Sequence, residues 1–93
     1  MIDSRTALVT GANGGIGLAI TRRLLREQGV QRVYASYRRA ESAAGLLEIG
    51  DDRLHTFRAD VTEAADLQRV ADGIRANGDQ PDLVINAAGI LHE

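Results

Sequence analysis

The chain contains no cysteine, no lysine and no tryptophan. Without cysteine there is no disulfide framework, no thiolate metal site and no thiol nucleophile, and nothing marks a redox compartment. Without lysine, Schiff-base chemistry is excluded, and so is a P-loop, whose Gly-Lys step supplies a phosphate-binding ammonium. All eleven basic residues are arginine. Aromatic residues are limited to Tyr34, Tyr37 and Phe57, so the core must rest on Ala, Val, Leu and Ile. No apolar run approaches the ~20 residues of a membrane span. The start, Met1-Ile2-Asp3-Ser4-Arg5, lacks the basic segment and long apolar stretch of an export signal. A net charge of −2 speaks against a nucleic-acid partner, which would leave a basic footprint. A cytoplasmic setting is therefore expected, with no membrane, nucleic-acid or metal partner.

What is present is enough for one small domain, residues 1–93, with a modest core. Apolar runs alternate with helical patterns. Thr6 to Thr10 reads as a buried strand. Ile16, Ala19, Ile20, Leu24 and Leu25 recur at helical spacing, with Arg22, Arg23, Arg26 and Glu27 on the other face. Gly29 is placed to end that helix as a left-handed C-cap. Arg32 to Ser36 predicts a second strand, Ala40 to about Leu47 a weaker helix interrupted by Gly45, and Leu54 to Arg58 a third strand. Thr62 is placed to cap a helix carrying Leu67, Val70, Ala71 and Ile74, which fades at Asn77-Gly78. Pro81-Asp82 introduces a fourth strand, Leu83 to Asn86.

This βαβαβαβ pattern with short connections predicts an α/β fold, a Rossmann-like doubly wound parallel sheet in partial form. Right-handed crossovers give the strand order 3-2-1-4. Winding reverses between the first and fourth strands, and ligands of such sheets bind in the crevice above that switch point.

At that point lies Thr10-Gly11-Ala12-Asn13-Gly14-Gly15-Ile16-Gly17, with four glycines in the seven residues from Gly11. A chain that turns tightly, approaches a pyrophosphate and lets a helix pack on a strand does each task best without a β-carbon. The helix N-terminus then offers free N–H groups and partial positive charge to phosphate. The order Thr-Gly-x-x-x-Gly-Ile-Gly resembles the short-chain dehydrogenase/reductase family. The same residues also satisfy Gly-x-x-Gly-x-x-Gly, which is similar to the sugar-nucleotide epimerase branch, and the turn alone leaves both open.

Three later segments fall in register with that resemblance. Tyr37 stands where NAD-binding relatives carry an acidic residue for the ribose hydroxyls, and Arg38-Arg39 follow. A guanidinium there suits a 2′-phosphate through charge-assisted hydrogen bonds, so NADP is expected as cofactor ahead of NAD. Gly14 departs from the basic residue that NADP-preferring relatives often carry. Asp60-Val61, after the third strand, resembles the pair that meets the adenine amino group and a ring nitrogen. Asn86-Ala87-Ala88-Gly89 resembles the family's Asn-Asn-Ala-Gly and favours the short-chain branch. Ala87 replaces the second Asn and leaves only a backbone role at that position. The wording across the chain is most similar to the carbonyl-reductase members related to C-factor and sniffer. The expected cofactor-binding set is thus Gly11, Asn13, Gly14, Gly15, Ile16, Gly17, Tyr37, Arg38, Asp60, Val61, Asn86, Ala87, Ala88 and Gly89.

The resemblance implies hydride transfer between a nicotinamide and a carbonyl or alcohol, with a Tyr as acid/base, a Lys four residues later and an orienting Ser. Tyr34 is followed at that spacing by Arg38 and Tyr37 by Glu41. His55 and His92 read as ordinary strand or solvated histidines. No catalytic residue is therefore expected in this chain, which reads as the cofactor-binding portion of an oxidoreductase, truncated before its catalytic region and inactive alone. The alternative is a non-catalytic dinucleotide-binding or interaction module. The fourth strand is expected to present an apolar edge for self-association or a partner chain, with the sheet face near Val84 and Val9 open to water.

Overall fold

The computed structural model describes residues 5–12, 15–60 and 62–87. Asn13, Gly14, Val61, Ala88 and Gly89, with the roles expected of them, lie outside the described residues. Four strands, β1 (Arg5–Thr10), β2 (Val30–Tyr37), β3 (Leu54–Arg58) and β4 (Leu83–Asn86), form one sheet in the order β3-β2-β1-β4. All pairings are parallel, with Leu8 opposite both Tyr34 and Val84, and Tyr37 opposite Arg58. This is the predicted doubly wound order. Short apolar strands that must be covered on two faces leave helices as the only economical connections.

Alternation along β1 and β2 divides the core. Val9, Val33 and Ala35 face one way and join Leu46 and Leu25 in a cluster against which Leu18, Ile20 and Leu24 pack. These come from α1 (Gly15–Leu24) and from the segment around α2 (Ala44–Leu47). Tyr34 faces the other way, with Leu8 and Phe57, and meets Val70 and Ile74 of α3 (Ala64–Ala76). Tyr34, Val9, Val33 and Leu46 have no exposed surface. Burying an aliphatic side chain of this kind contributes ~1.5–3 kcal/mol, which lets a core with few aromatics hold.

Several local expectations are corrected. Gly29 is not left-handed: among the described residues, positive φ occurs at Gly11, Gly15, Gly50 and Gly78. The first helix stops at Leu24 instead, and its last carbonyls are taken by tight i to i+3 bonds from Arg26 and Glu27. Ile20, Leu24 and Leu25 pack on the core as expected, but Ile16, at 39 % exposed, and Ala19 do not, and the buried residues of α1 are Gly17 and Thr21. Close approach of the helix to the preceding turn selects its smallest face. The weak second helix splits into a 3-10 turn, Ala40–Ser42, and the single-turn α2. Thr62 does not cap α3. Its hydroxyl donates to Asp60 Oδ1 at 2.6 Å, and Glu63 holds the N-cap position without a side-chain bond. At the other end the expected fade is a Schellman closure. Gly78, at φ +78°, donates to Arg75 and Asp79 donates to Ile74.

A candidate dinucleotide site at the sheet switch point

The parallel register brings the C-terminal ends of β1, β2, β3 and β4 to one edge, so the residues that follow each strand share a rim. Gly11 follows Thr10, Arg38 follows Tyr37, Asp60 lies two past Arg58, and Ala87 follows Asn86. Four segments far apart in sequence thus converge.

The glycine turn is built on backbone constraints. Gly11 takes φ +69° and Gly15 φ +55°, the left-handed region that suits glycine. Gly17 is buried, and a Cβ there would overlap the Gly11 carbonyl oxygen, falling within 2.9 Å of its carbonyl carbon and 3.0 Å of Ala12 Cα. The turn is tied to β2 by two bonds. Ala12 N–H donates to the Ser36 carbonyl at 2.8 Å, and Gly11 N–H donates to the Ser36 hydroxyl at 3.3 Å. Sequence reasoning missed Ser36. Its only signal was a hydroxyl among apolar strand residues, one place before Tyr37. The first turn of α1 carries no acidic side chain, so its amide dipoles face the rim without an opposing carboxylate.

Asn86 joins the two strands at the switch point. The Thr10 hydroxyl donates to its side-chain oxygen at 2.8 Å. Ala87 beyond it is buried. Tyr37 is half-buried against the core cluster, and its carbonyl accepts from Ala59 N–H at 2.8 Å. Arg38 projects from the same point with 68 % of its side chain exposed, and its Nε lies 3.6 Å from Asp60 Oδ2.

Asp60 is firmly held. Its Oδ1 accepts from both the hydroxyl and the backbone N–H of Thr62, and its own N–H donates to Asp66 Oδ2 at 2.8 Å. The Thr62 hydroxyl bond, then the Thr62 amide and the Arg38 charge, hold the Asp60 carboxyl below the usual carboxylate range. Asp66 is lowered chiefly by the Asp60 amide and secondly by Arg69, its partner at 3.0 Å.

Tyr34 is turned away from this rim. It is fully buried, and its hydroxyl donates to Asp79 Oδ2 at 2.5 Å in the loop entering β4. Arg32 donates to the same oxygen at 2.9 Å, and Asn77 donates to the Tyr34 hydroxyl at 3.1 Å. Arg53, also missed from sequence, ties the loops at the far edge through bonds to the carbonyls of Leu25 and Val30 and to Asp51.

The close backbone packing of Gly17 on Gly11, the left-handed glycines and a helix start whose first turn carries no acidic side chain fit a pyrophosphate. A parallel sheet wound 3-2-1-4 with this turn at its switch point defines a Rossmann-type nucleotide-binding protein. The chain belongs to the short chain dehydrogenase family, whose model matches residues 5–93. That is an oxidoreductase family working with a nicotinamide dinucleotide.

Among its relatives is D-threitol dehydrogenase of Mycolicibacterium smegmatis, 38 % identical over 96 % of this chain and 35 % of that protein. An NADPH-bound carbonyl reductase from chicken fatty liver is 31 % identical with a TM-score of 0.83, over 99 % of this chain and 37 % of that one. A carbonyl reductase described as sniffer, from Caenorhabditis elegans, is 29 % identical with a TM-score of 0.82, over 89 % and 36 %. The chain spans about a third of the length of these proteins.

Proposed function

We propose that residues 1–93 are the dinucleotide-binding portion of an NADP(H)-preferring reductase acting on a small carbonyl or alcohol. The cofactor supplies the hydride chemistry when bound. The residues of this chain bind and orient it. Gly11, Gly15 and Gly17 let backbone and helix approach the pyrophosphate, with Asn13, Gly14 and Ile16 completing the turn. Asp60 and Val61 meet the adenine. Asn86 ties β4 to β1, and the small residues Ala87, Ala88 and Gly89 are assigned to the adenosine ribose. Arg38 takes the 2′-phosphate, with Tyr37 in the place of an acidic ribose acceptor.

The observation that carries the NADP reading is the exposed Arg38 guanidinium at the end of β2, beside the glycine turn. Resemblance to a reductase bound to NADPH supports it. A charge-assisted partner is worth ~1.5–3 kcal/mol, about 10- to 150-fold in affinity. Calorimetric titration with NADP and NAD should show that preference and its loss in Arg38→Ala. Equal affinities in the wild type reject it.

With no lysine in the chain, no Tyr-x-x-x-Lys pair exists to move a proton at the substrate. The 93 residues therefore supply binding without turnover, and NADPH oxidation with quinones or aldehydes is expected to be absent. We further propose that the β4 edge pairs with another strand, a second copy when the chain is alone. Leu83 is 44 % and Val84 60 % exposed on that strand. Val9, expected to share the open face, is fully buried under α1, and it is Leu8 that lies on the side of Val84. There a groove of about 440 Å³ runs between Leu8 and Thr10 of the sheet and Leu67, Val70 and Ile74 of α3.

A further inference from the structure

Arg38 and Asp60 meet at 3.6 Å on the rim where the 2′-phosphate is proposed to sit. That separation exceeds a hydrogen bond, so the contact supplies charge without fixing orientation. The two partners are not equally free. Asp60 is locked by Thr62 through Oδ1 and by Asp66 through its own amide, whereas Arg38 is largely exposed. The carboxylate oxygen left over, Oδ2, is the one turned to the guanidinium. The neighbouring carboxylate, Asp66, is already engaged with Arg69.

We propose that Asp60 is a specificity-determining residue that restrains the preference for a 2′-phosphate, acting as an internal competitor for Arg38. This rests on the reading of Arg38 as the phosphate partner. A phosphate arriving there draws the guanidinium away from Asp60 and must tolerate a fixed carboxylate nearby. Both effects oppose NADP and leave NAD untouched. Loss of orientation on removing Asp60 would act the other way, but a contact this long and exposed provides little. An exposed ion pair corresponds to about a two- to fivefold effect on an equilibrium.

The test is calorimetry with NADP and NAD on wild type, Asp60→Asn, Arg38→Ala and the double variant. Asparagine keeps an oxygen for Thr62, and any adenine contact at residue 60 is common to both ligands, so it cancels in the affinity ratio. Asp60→Asn should raise the NADP-to-NAD ratio by about two- to fivefold, and by less when Arg38 is already Ala. Asp60→Ser, checked for folding by circular dichroism, gives an independent removal of the carboxylate and should shift the ratio the same way. An unchanged or lowered ratio in both Asp60 variants, with Arg38→Ala still lowering it, overturns the competitor role alone. A ratio indifferent to Arg38→Ala overturns the phosphate reading beneath it.

Discussion

Gly17 packs so closely on Gly11 that a Cβ at 17 would overlap the Gly11 carbonyl oxygen. The obstruction is backbone, which cannot swing aside as a side-chain end would. Gly17→Ala should therefore lose ~1–3 kcal/mol of stability through overpacking. Dinucleotide affinity should fall with it, because the helix start is pushed from the turn. Gly11→Val should cost a similar ~1–3 kcal/mol, since φ +69° is strained for a branched side chain. Urea denaturation with cofactor titration checks both. A Gly17→Ala protein of wild-type stability and affinity would show that the close contact does not shape the site.

Tyr34 gives a second prediction. Its hydroxyl is buried between Asp79 and Asn77, while its ring lies against His55 and Phe57. Tyr34→Phe keeps the ring contacts and removes the hydroxyl, leaving Asn77 without its acceptor. A loss of about 1–3 kcal/mol is expected, read as a lower urea midpoint at constant slope. Cofactor affinity should hold, because the network joins β2 to the loop entering β4 and not to the rim.

Stability should also fall in acid. Asp51, Asp60, Asp66 and Asp72 are all held below the ordinary carboxylate value of 3.8, by bonds from Arg53, Thr62, the Asp60 amide and Gln68 respectively. A lowered folded value means that the unfolded chain takes up protons first. The stabilisation is thus present above the unfolded value and lost as pH falls through the lowered folded ones. Thermal unfolding midpoints should be steady from pH 7 to 5 and drop below about pH 4. Asp66→Asn should flatten that drop while lowering the midpoint at pH 7.

Association through β4 can be read directly. The 10.0 kDa chain should scatter light as a larger species. Val84→Lys places a charge beside Leu8 on the open face, and charge on an edge strand opposes pairing with another chain. That variant should return to monomer without loss of cofactor binding. A wild-type monomer at high concentration would show that the edge is not a pairing surface.

The four strands and their order were legible in the residues because short apolar runs alternating with helical spacing permit little else. The glycine turn was legible too, since few purposes other than close backbone approach gather Gly11, Gly14, Gly15 and Gly17 between a strand and a helix. Helix ends were not. Gly29 and Thr62 carry the right chemistry for a C-cap and an N-cap, yet packing ends α1 five residues before Gly29 and turns the Thr62 hydroxyl to Asp60. Local propensities of a few tenths to about one kcal/mol yield to tertiary contacts of that size.

The family and the kind of ligand could thus be read from order and spacing along the chain. Contacts between residues distant in sequence were decided only by the fold: Gly17 against Gly11, Ser36 under the turn, Tyr34 on Asp79, and Arg38 facing Asp60. A linear pattern states which residues are apolar, small or charged. Which two of them meet depends on parallel register and crossover, and these exist only once the sheet has formed.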